Sequence, residues 1–448
     1  MKNLYVKKCM ALLCAGLAGA SLLLSGCGRA AEGTSSSLAE TAEESVVAEE
    51  AADSSSSLTE DSSADSVDEE QNETAGSEAS EEETTEEAED VDQASVEDAP
   101  EIPGLTCESV MDLVYAESFD VYYYSDGYKL IDVEGDRQFL LVPEDQEEPD
   151  DLDESIVVLE QPLENIYLAA TSSMALFDAM DALDSIRMSA LDESGWYVEH
   201  AAEAMAAGDI LYGGKYSKPD YEMLISEGCS IAIESTMILH SPKVQEMIED
   251  LGIPVFIDHS SYESHPLGRT EWIKCYGAML DKEEAAEEFF NEQLKIIEQL
   301  DDFENTGKTM AYFHINTEGQ AVVRTSSDYI PKMIEMAGGQ YAFSDLTQEE
   351  GNRSASMTIS MEQFYSVAKD ADYLIYNASI DGALKNTDEL IAKDALFKDF
   401  KAVKEGNVWT TEKSLYQATD TVGEFILDIH EMLTSGDESQ MKFMAKVE

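Results

Sequence analysis

Basic residues are scarce. The chain of 448 residues carries 27 Lys plus Arg against 95 Asp plus Glu, a formal net charge of −68. Nucleic-acid binding needs basic surface, so that class of partner is excluded. Cysteine is scarce too: there are six, none in a CxxC pair, which argues against a zinc ribbon or a redox couple. The six histidines are scattered, with only His259 and His265 close together. Neither GxSxG nor HExxH occurs. Gly307-Lys308-Thr309 resembles the end of a phosphate loop, but Asp302 stands where its first glycine belongs, and the triplet precedes a strand instead of following one. No catalytic constellation remains, so the chain reads as a non-enzyme without a cofactor.

What is present begins with a targeting pattern. Lys2, Lys7 and Lys8 form a basic start, residues 9–24 are almost entirely apolar, and Leu24-Ser25-Gly26-Cys27 follows. The apolar run is short for a membrane span. The stretch resembles the signal peptide and lipobox of bacterial lipoproteins, which implies cleavage after residue 26 and lipidation of Cys27. Each buried methylene of such an anchor contributes about 0.8 kcal/mol. Residues 27–100 are then an acidic, Ser- and Glu-rich tether. Between 31 and 100 there are 25 Asp plus Glu and no Lys or Arg. Such a segment cannot bury enough apolar surface to offset its chain entropy and is expected to be disordered. It would reach on the order of 50 Å as a coil and about 200 Å when stretched.

Without leader and tether, 70 acids still face 23 bases. Cys107, Cys229 and Cys275 form no pattern. From residue 156 short β-like runs alternate with helical stretches: IVVLE (156–160), NIYLAA (165–170), DILYG (209–213), SIAIES (230–235) and IPVFID (253–258). The rhythm restarts after Gly307 with TMAYFHI (309–315), AVVRT (321–325), DYLIYN (372–377) and NVWTT (407–411). This pattern predicts an α/β fold of two lobes, each a mainly parallel sheet flanked by helices. Aromatic alternation over 121–142 predicts an extra N-terminal β-hairpin. Between the lobes, residues 281–304 read as a single long helix with Ala286, Phe290, Leu294 and Ile297 on one face and Asp281 as its cap. The predicted division is a leader (1–26), the tether (27–100), an N-terminal lobe that includes the hairpin (101–280), the helix (281–304) and a C-terminal lobe (305–448).

QPLENIYLAATSSMALFDAMDAL, GGKYSKPDYEMLISEGCSIAIES and LGIPVFIDHSSYESHPLGRTEWIKCYGAMLDKEEAAEEFF, with IPKMIEMAGG and TISMEQFYSVAKDADYLIYN further on, resemble the substrate-binding lipoproteins of ABC importers for iron chelates, haem and cobalamin. The resemblance covers about 155–430. It implies a monomer anchored on the outer, extracytoplasmic face of the cell membrane. Its ligand would lie between the lobes, and its partners would be an ABC permease with its ATPase.

In open α/β sheets ligands bind beyond the carboxyl ends of strands. Here those ends feed Thr171-Ser172-Ser173, Gly213 to Tyr216, Ser235-Thr236 and the loop from His259 to Arg269. In the second half they feed Arg324 to Tyr329, Arg353 and Asn377 to Ser379. In so acidic a body Arg269, Arg324 and Arg353 stand out as forks for carboxylates. Tyr216, Tyr262 and Trp272 offer flat walls, and Lys215, Ser172, His259 and His265 complete the candidate set. An anionic iron complex, a siderophore or haem, is the leading ligand. Cobalamin is the runner-up, and bare metal on His259, His265 and nearby carboxylates is a third reading. The resemblance further implies permease docking through Glu222 in KPDYEML and Glu362 in TISMEQF. Ser360 and Gln363 also form a capping-box pattern around Glu362.

Overall fold

The computed structural model describes residues 94–133, 135, 137–300, 303–347 and 355–448. Cys27, the leader and nearly all of the tether lie outside the described residues, as does Arg353.

Five strands open the fold: β1 (Cys107–Val110), β2 (Phe119–Tyr124), β3 (Lys129–Val133), β4 (Gln138–Val142) and β5 (Val157–Glu160). They form one sheet in that order, antiparallel until β5 joins β4 in parallel. The expected hairpin is therefore the middle of a larger sheet, and IVVLE belongs to it instead of to the first lobe. Its alternation is explained by two buried faces. Val121, Ile131, Phe139 and Leu141 point into the main core, whereas Tyr122, Tyr124, Leu130 and Leu140 meet Ile102 and Ile156 in a smaller core of their own.

The first lobe follows as β6 (Ile166–Leu168), α1 (Met174–Ala179), β7 (Ile186–Ser189), α2 (Glu199–Ala207) and β8 (Leu211–Tyr212). A small hairpin, β9 (Gly214–Lys215) with β10 (Lys218–Pro219), leads to α3 (Tyr221–Ser226), β11 (Ala232–Ser235), α4 (Pro242–Glu249) and β12 (Val255–Asp258). The lobe's sheet is parallel, in the order β12-β11-β6-β7-β8.

Two helices then cross to the second lobe. α5 (Pro266–Met279) starts with Pro266 in its first turn and the His265 ring accepting from the Leu267 amide at 3.2 Å. α6 (Glu283–Ile297) runs on as a 3₁₀ turn to Leu300. The two pack closely, with Gly277 opposite Ala286 and Lys274 paired to Glu287 at 3.0 Å. Ala286, Phe290 and Ile297 are buried as the periodicity requires. The cap differs from expectation. Lys282 takes the N-cap position without a side-chain bond, because Asp281 turns away, with φ 54, to meet Lys129 at 2.7 Å.

The second lobe comprises β13 (Thr309–Ile315), β14 (Ala321–Arg324), α7 (Tyr329–Met336), β15 (Gln340–Tyr341), β16 (Ser356–Ile359), α8 (Met361–Ala368), β17 (Tyr373–Tyr376), α9 (Thr387–Lys393), α10 (Lys401–Glu405), β18 (Val408–Thr411), α11 (Val422–Thr434) and β19 (Met444–Lys446). Its sheet runs β16-β14-β13-β17-β18-β19, with β15 also on β13. β13, β15, β17 and β18 are parallel. α11 lies against α6, where Gly423 brings its backbone close to Ile296. α6 is thus held by α5 on one side and α11 on the other, which makes it the spine. Cys107, Cys229 and Cys275 are free thiols.

Candidate functional site

The carboxyl edge of the first sheet is built around Asp258, the last residue of β12. Its carboxylate accepts from the Ser260 amide at 2.7 Å and from the hydroxyls of Ser173 and Tyr276. One buried acid therefore fixes both the turn after β6, which carries Ser172, and the turn after β12, which carries His259 and Tyr262. His259 and Tyr262 meet edge to face at 5.6 Å.

From this edge α5 carries His265 and, one turn on, Arg269 toward the second lobe. The Arg269 guanidinium carbon lies 4.1 Å from the centroid of the Tyr329 ring, a cation–π contact across the seam between the lobes. Its Nε is buried with no hydrogen-bond partner among the described residues. Next to Tyr329, Asp328 accepts from the Ile330 amide at 2.9 Å, and Arg324 approaches its other oxygen to 3.7 Å. Burial pushes the Asp328 carboxyl up, opposed by Arg324 and Arg269. Burial works against the Arg324 charge as well, but Asp328 and the neighbouring phenols outweigh it and hold that guanidinium above its ordinary value. Arg324 thus pairs with Asp328, and Arg269 also favours the charged form of the same carboxylate.

The rims also touch where β7 and β18 end. The Gln417 side chain accepts from the Tyr197 amide at 2.7 Å and donates to the Gly195 carbonyl at 2.8 Å. Thr270 on α5 donates to the Thr419 carbonyl at 2.8 Å.

The structure thus brings Arg269, Arg324, His265, His259, Tyr262 and Ser172 to one side of the molecule. Three of the other candidates lie elsewhere. Trp272 is fully buried and donates from Nε1 to Glu263 at 2.8 Å while packing on Phe119; it is core, not a wall, because position 272 falls on the inward face of α5. Lys215 and Tyr216 follow β8, at the opposite edge of the sheet from β12, and Tyr216 packs against a separate small core. The bare-metal reading lacks a ligand set: among the described residues no three His, Cys, Asp or Glu gather as a metal site. Residue-by-residue reading missed Asp328, whose signal was its place at the N-cap of α7, and Gln417, which had none.

Glu222 and Glu362 are both exposed in the first turns of α3 and α8. The capping box of Ser360 and Gln363 is present. Glu222 also borders a surface depression of about 490 Å³ with Tyr212, Lys218 and Tyr221.

Two α/β lobes on a helical spine, with an aromatic and cationic seam between them, define the architecture of a two-lobed binding protein. Residues 195–415 match the family model described as periplasmic binding protein. Over that stretch the chain is similar to the periplasmic binding protein family. An uncharacterised lipoprotein of Methanocaldococcus jannaschii is 26% identical over 338 residues, 68% of this chain and 77% of its own. Among solved structures, a periplasmic binding protein of Veillonella parvula aligns with TM-score 0.50 at 16% identity over 69% of this chain and 96% of its own. The periplasmic haem-binding protein of Vibrio cholerae aligns with TM-score 0.50 at 15% identity over 60% and 98%.

Proposed function

We propose that this chain is the lipid-anchored, extracytoplasmic binding component of an ABC importer, without catalytic activity, and that it captures an anionic iron complex, a ferric siderophore or haem, between its lobes. The observation that carries this reading is Arg269: a guanidinium stacked on Tyr329, with a buried Nε that has no hydrogen-bond partner among the described residues, beside the Arg324–Asp328 pair. A buried donor without a partner is costly, and an anion between the lobes would satisfy it. Cys27 would hold the protein to the membrane after removal of the leader, which agrees with the lipoprotein relatives. Glu222 and Glu362, one on each lobe, would meet basic residues of the permease.

Titration of the purified Cys27→Ala protein against haemin, a ferric tricatecholate, ferric citrate, cyanocobalamin and zinc, followed by tryptophan fluorescence, tests the reading. Trp196 adjoins the Gly195–Gln417 contact between the lobes and is placed to report on closure. Saturable binding of an iron complex is expected. Binding of cyanocobalamin alone, or of zinc alone, would replace the iron reading.

A further inference from the structure

Five consecutive backbone amides, Val114 to Ser118, end on two buried carboxylates. Glu271 accepts from Val114 at 2.9 Å, Tyr115 at 2.7 Å and Ala116 at 2.9 Å. Glu263 accepts from Glu117 at 2.9 Å and Ser118 at 3.1 Å, besides Trp272. Glu271 is wholly buried and Glu263 is 2% exposed. Burying carboxylates is costly unless donors meet their oxygens, and here most of the donors are the loop's own amides. Lys274 completes the clamp, reaching the Asp112 carbonyl and Glu271, each at 3.0 Å. A Cβ at Gly268 would lie 2.9 Å from the Tyr115 carbonyl oxygen, so helix and loop are in direct backbone contact.

This fixed loop between β1 and β2 lays one side chain flat on the first lobe. The Tyr115 ring stacks on His265 with centroids 3.9 Å apart and planes 5° from parallel. His265 precedes Arg269 by one helical turn. Burial, reinforced by the Lys332 ammonium of α7 in the second lobe, pushes its pKa down to about 4, so the imidazole is neutral near pH 7. The stack stands at the seam, next to the Arg269–Tyr329 contact.

We infer that Tyr115 is a ligand-contacting residue that selects chelates with a flat aromatic or macrocyclic face over aliphatic ones. The inference rests on the binding of an iron complex between the lobes proposed above. Arg269 meets the ligand's charge, while the held Tyr115–His265 pair offers its π-face without a further ordering cost.

The test compares wild type, Tyr115→Phe and Tyr115→Leu in titrations with haemin, a ferric tricatecholate and ferric citrate, with melting temperatures measured alongside. Wild type should favour haemin or the tricatecholate over citrate. Tyr115→Phe should stay within about twofold of wild type, and Tyr115→Leu should lose about tenfold for the flat ligand only, with an unchanged melting temperature. Wild-type affinity in Tyr115→Leu, an equal loss in Tyr115→Phe, a parallel loss for citrate, or a wild type that prefers citrate overturns the inference alone. A wild type that binds none of the three overturns the iron-import reading, and the inference falls with it.

Discussion

Arg269 and Tyr329, sixty residues apart in sequence, meet at 4.1 Å across the seam, one from α5 and one from the first turn of α7. The contact joins the two lobes, and the Arg269 Nε stays buried with no hydrogen-bond partner among the described residues. It also separates the two arginines of the site by role. Arg269 pairs with a ring, and Arg324 with a buried acid.

Their substitutions should therefore differ. Arg269→Ala should fold normally and weaken binding of the iron complex by about ten- to a hundredfold, the loss of one charge-assisted contact. Arg324→Ala removes the nearest counter-charge of Asp328 and should cost roughly 3–5 kcal/mol of stability at pH 7.5. That cost should shrink on acidification, as the Asp328 carboxyl, already pushed up by burial, takes a proton. Urea unfolding at pH 7.5 and 5 with parallel titrations checks both. Equal affinity in Arg269→Ala and wild type would remove the anion from the seam.

The α5–α6 junction offers a second test. Lys129 on β3 is buried and bonds the Ala278 carbonyl at 3.0 Å, Asp281 at 2.7 Å and Glu283. The N-terminal sheet thus anchors the turn from which the spine departs. Lys129→Met should destabilise the protein by roughly 1–3 kcal/mol, and an unchanged denaturation midpoint would show the clamp to be idle.

Asp420 lies where the second lobe approaches α5. Burial pushes its pKa up to about 6 from 3.8. A carboxyl raised on folding favours the folded state below its unfolded pKa, and that contribution is lost as pH rises from about 4 to 6. Asp420→Asn should therefore stabilise the protein at pH 7.5 by roughly 1–2 kcal/mol and change little at pH 4. Calorimetry at the two pH values decides; equal shifts at both would rule out titration of this group.

Glu222 and Glu362 should matter only for delivery. Rim charges chiefly set association rate and orientation, so Glu222→Ala with Glu362→Ala should abolish or sharply reduce uptake in cells and leave ligand affinity in solution unchanged. Full uptake by the double variant would end the docking role. Lost ligand binding would move these residues into the site.

Much of this molecule was legible in the order of its residues, because the signals are short-range. Alternating runs such as TMAYFHI, the spacing of Ala286, Phe290 and Ile297, and the Ser360–Gln363 box each specify an element within a few residues of themselves. These determine two α/β halves, a spine between them and the exposed first turns that carry Glu222 and Glu362. Strand order was beyond such signals, because pairing is decided by contacts distant in sequence. It puts β8, with Lys215 and Tyr216, at the far edge from β12. The faces of α5 were equally unreadable: α5 is flanked by the N-terminal sheet, α6 and α11, so almost every position is buried and its pattern shows no single apolar stripe. Only tertiary packing sends Trp272 inward to Glu263 and Arg269 outward to Tyr329. Asp281 leaves its expected cap for the same reason, since a buried ammonium 152 positions away offers its carboxylate a stronger partner than the backbone amides of α6 do.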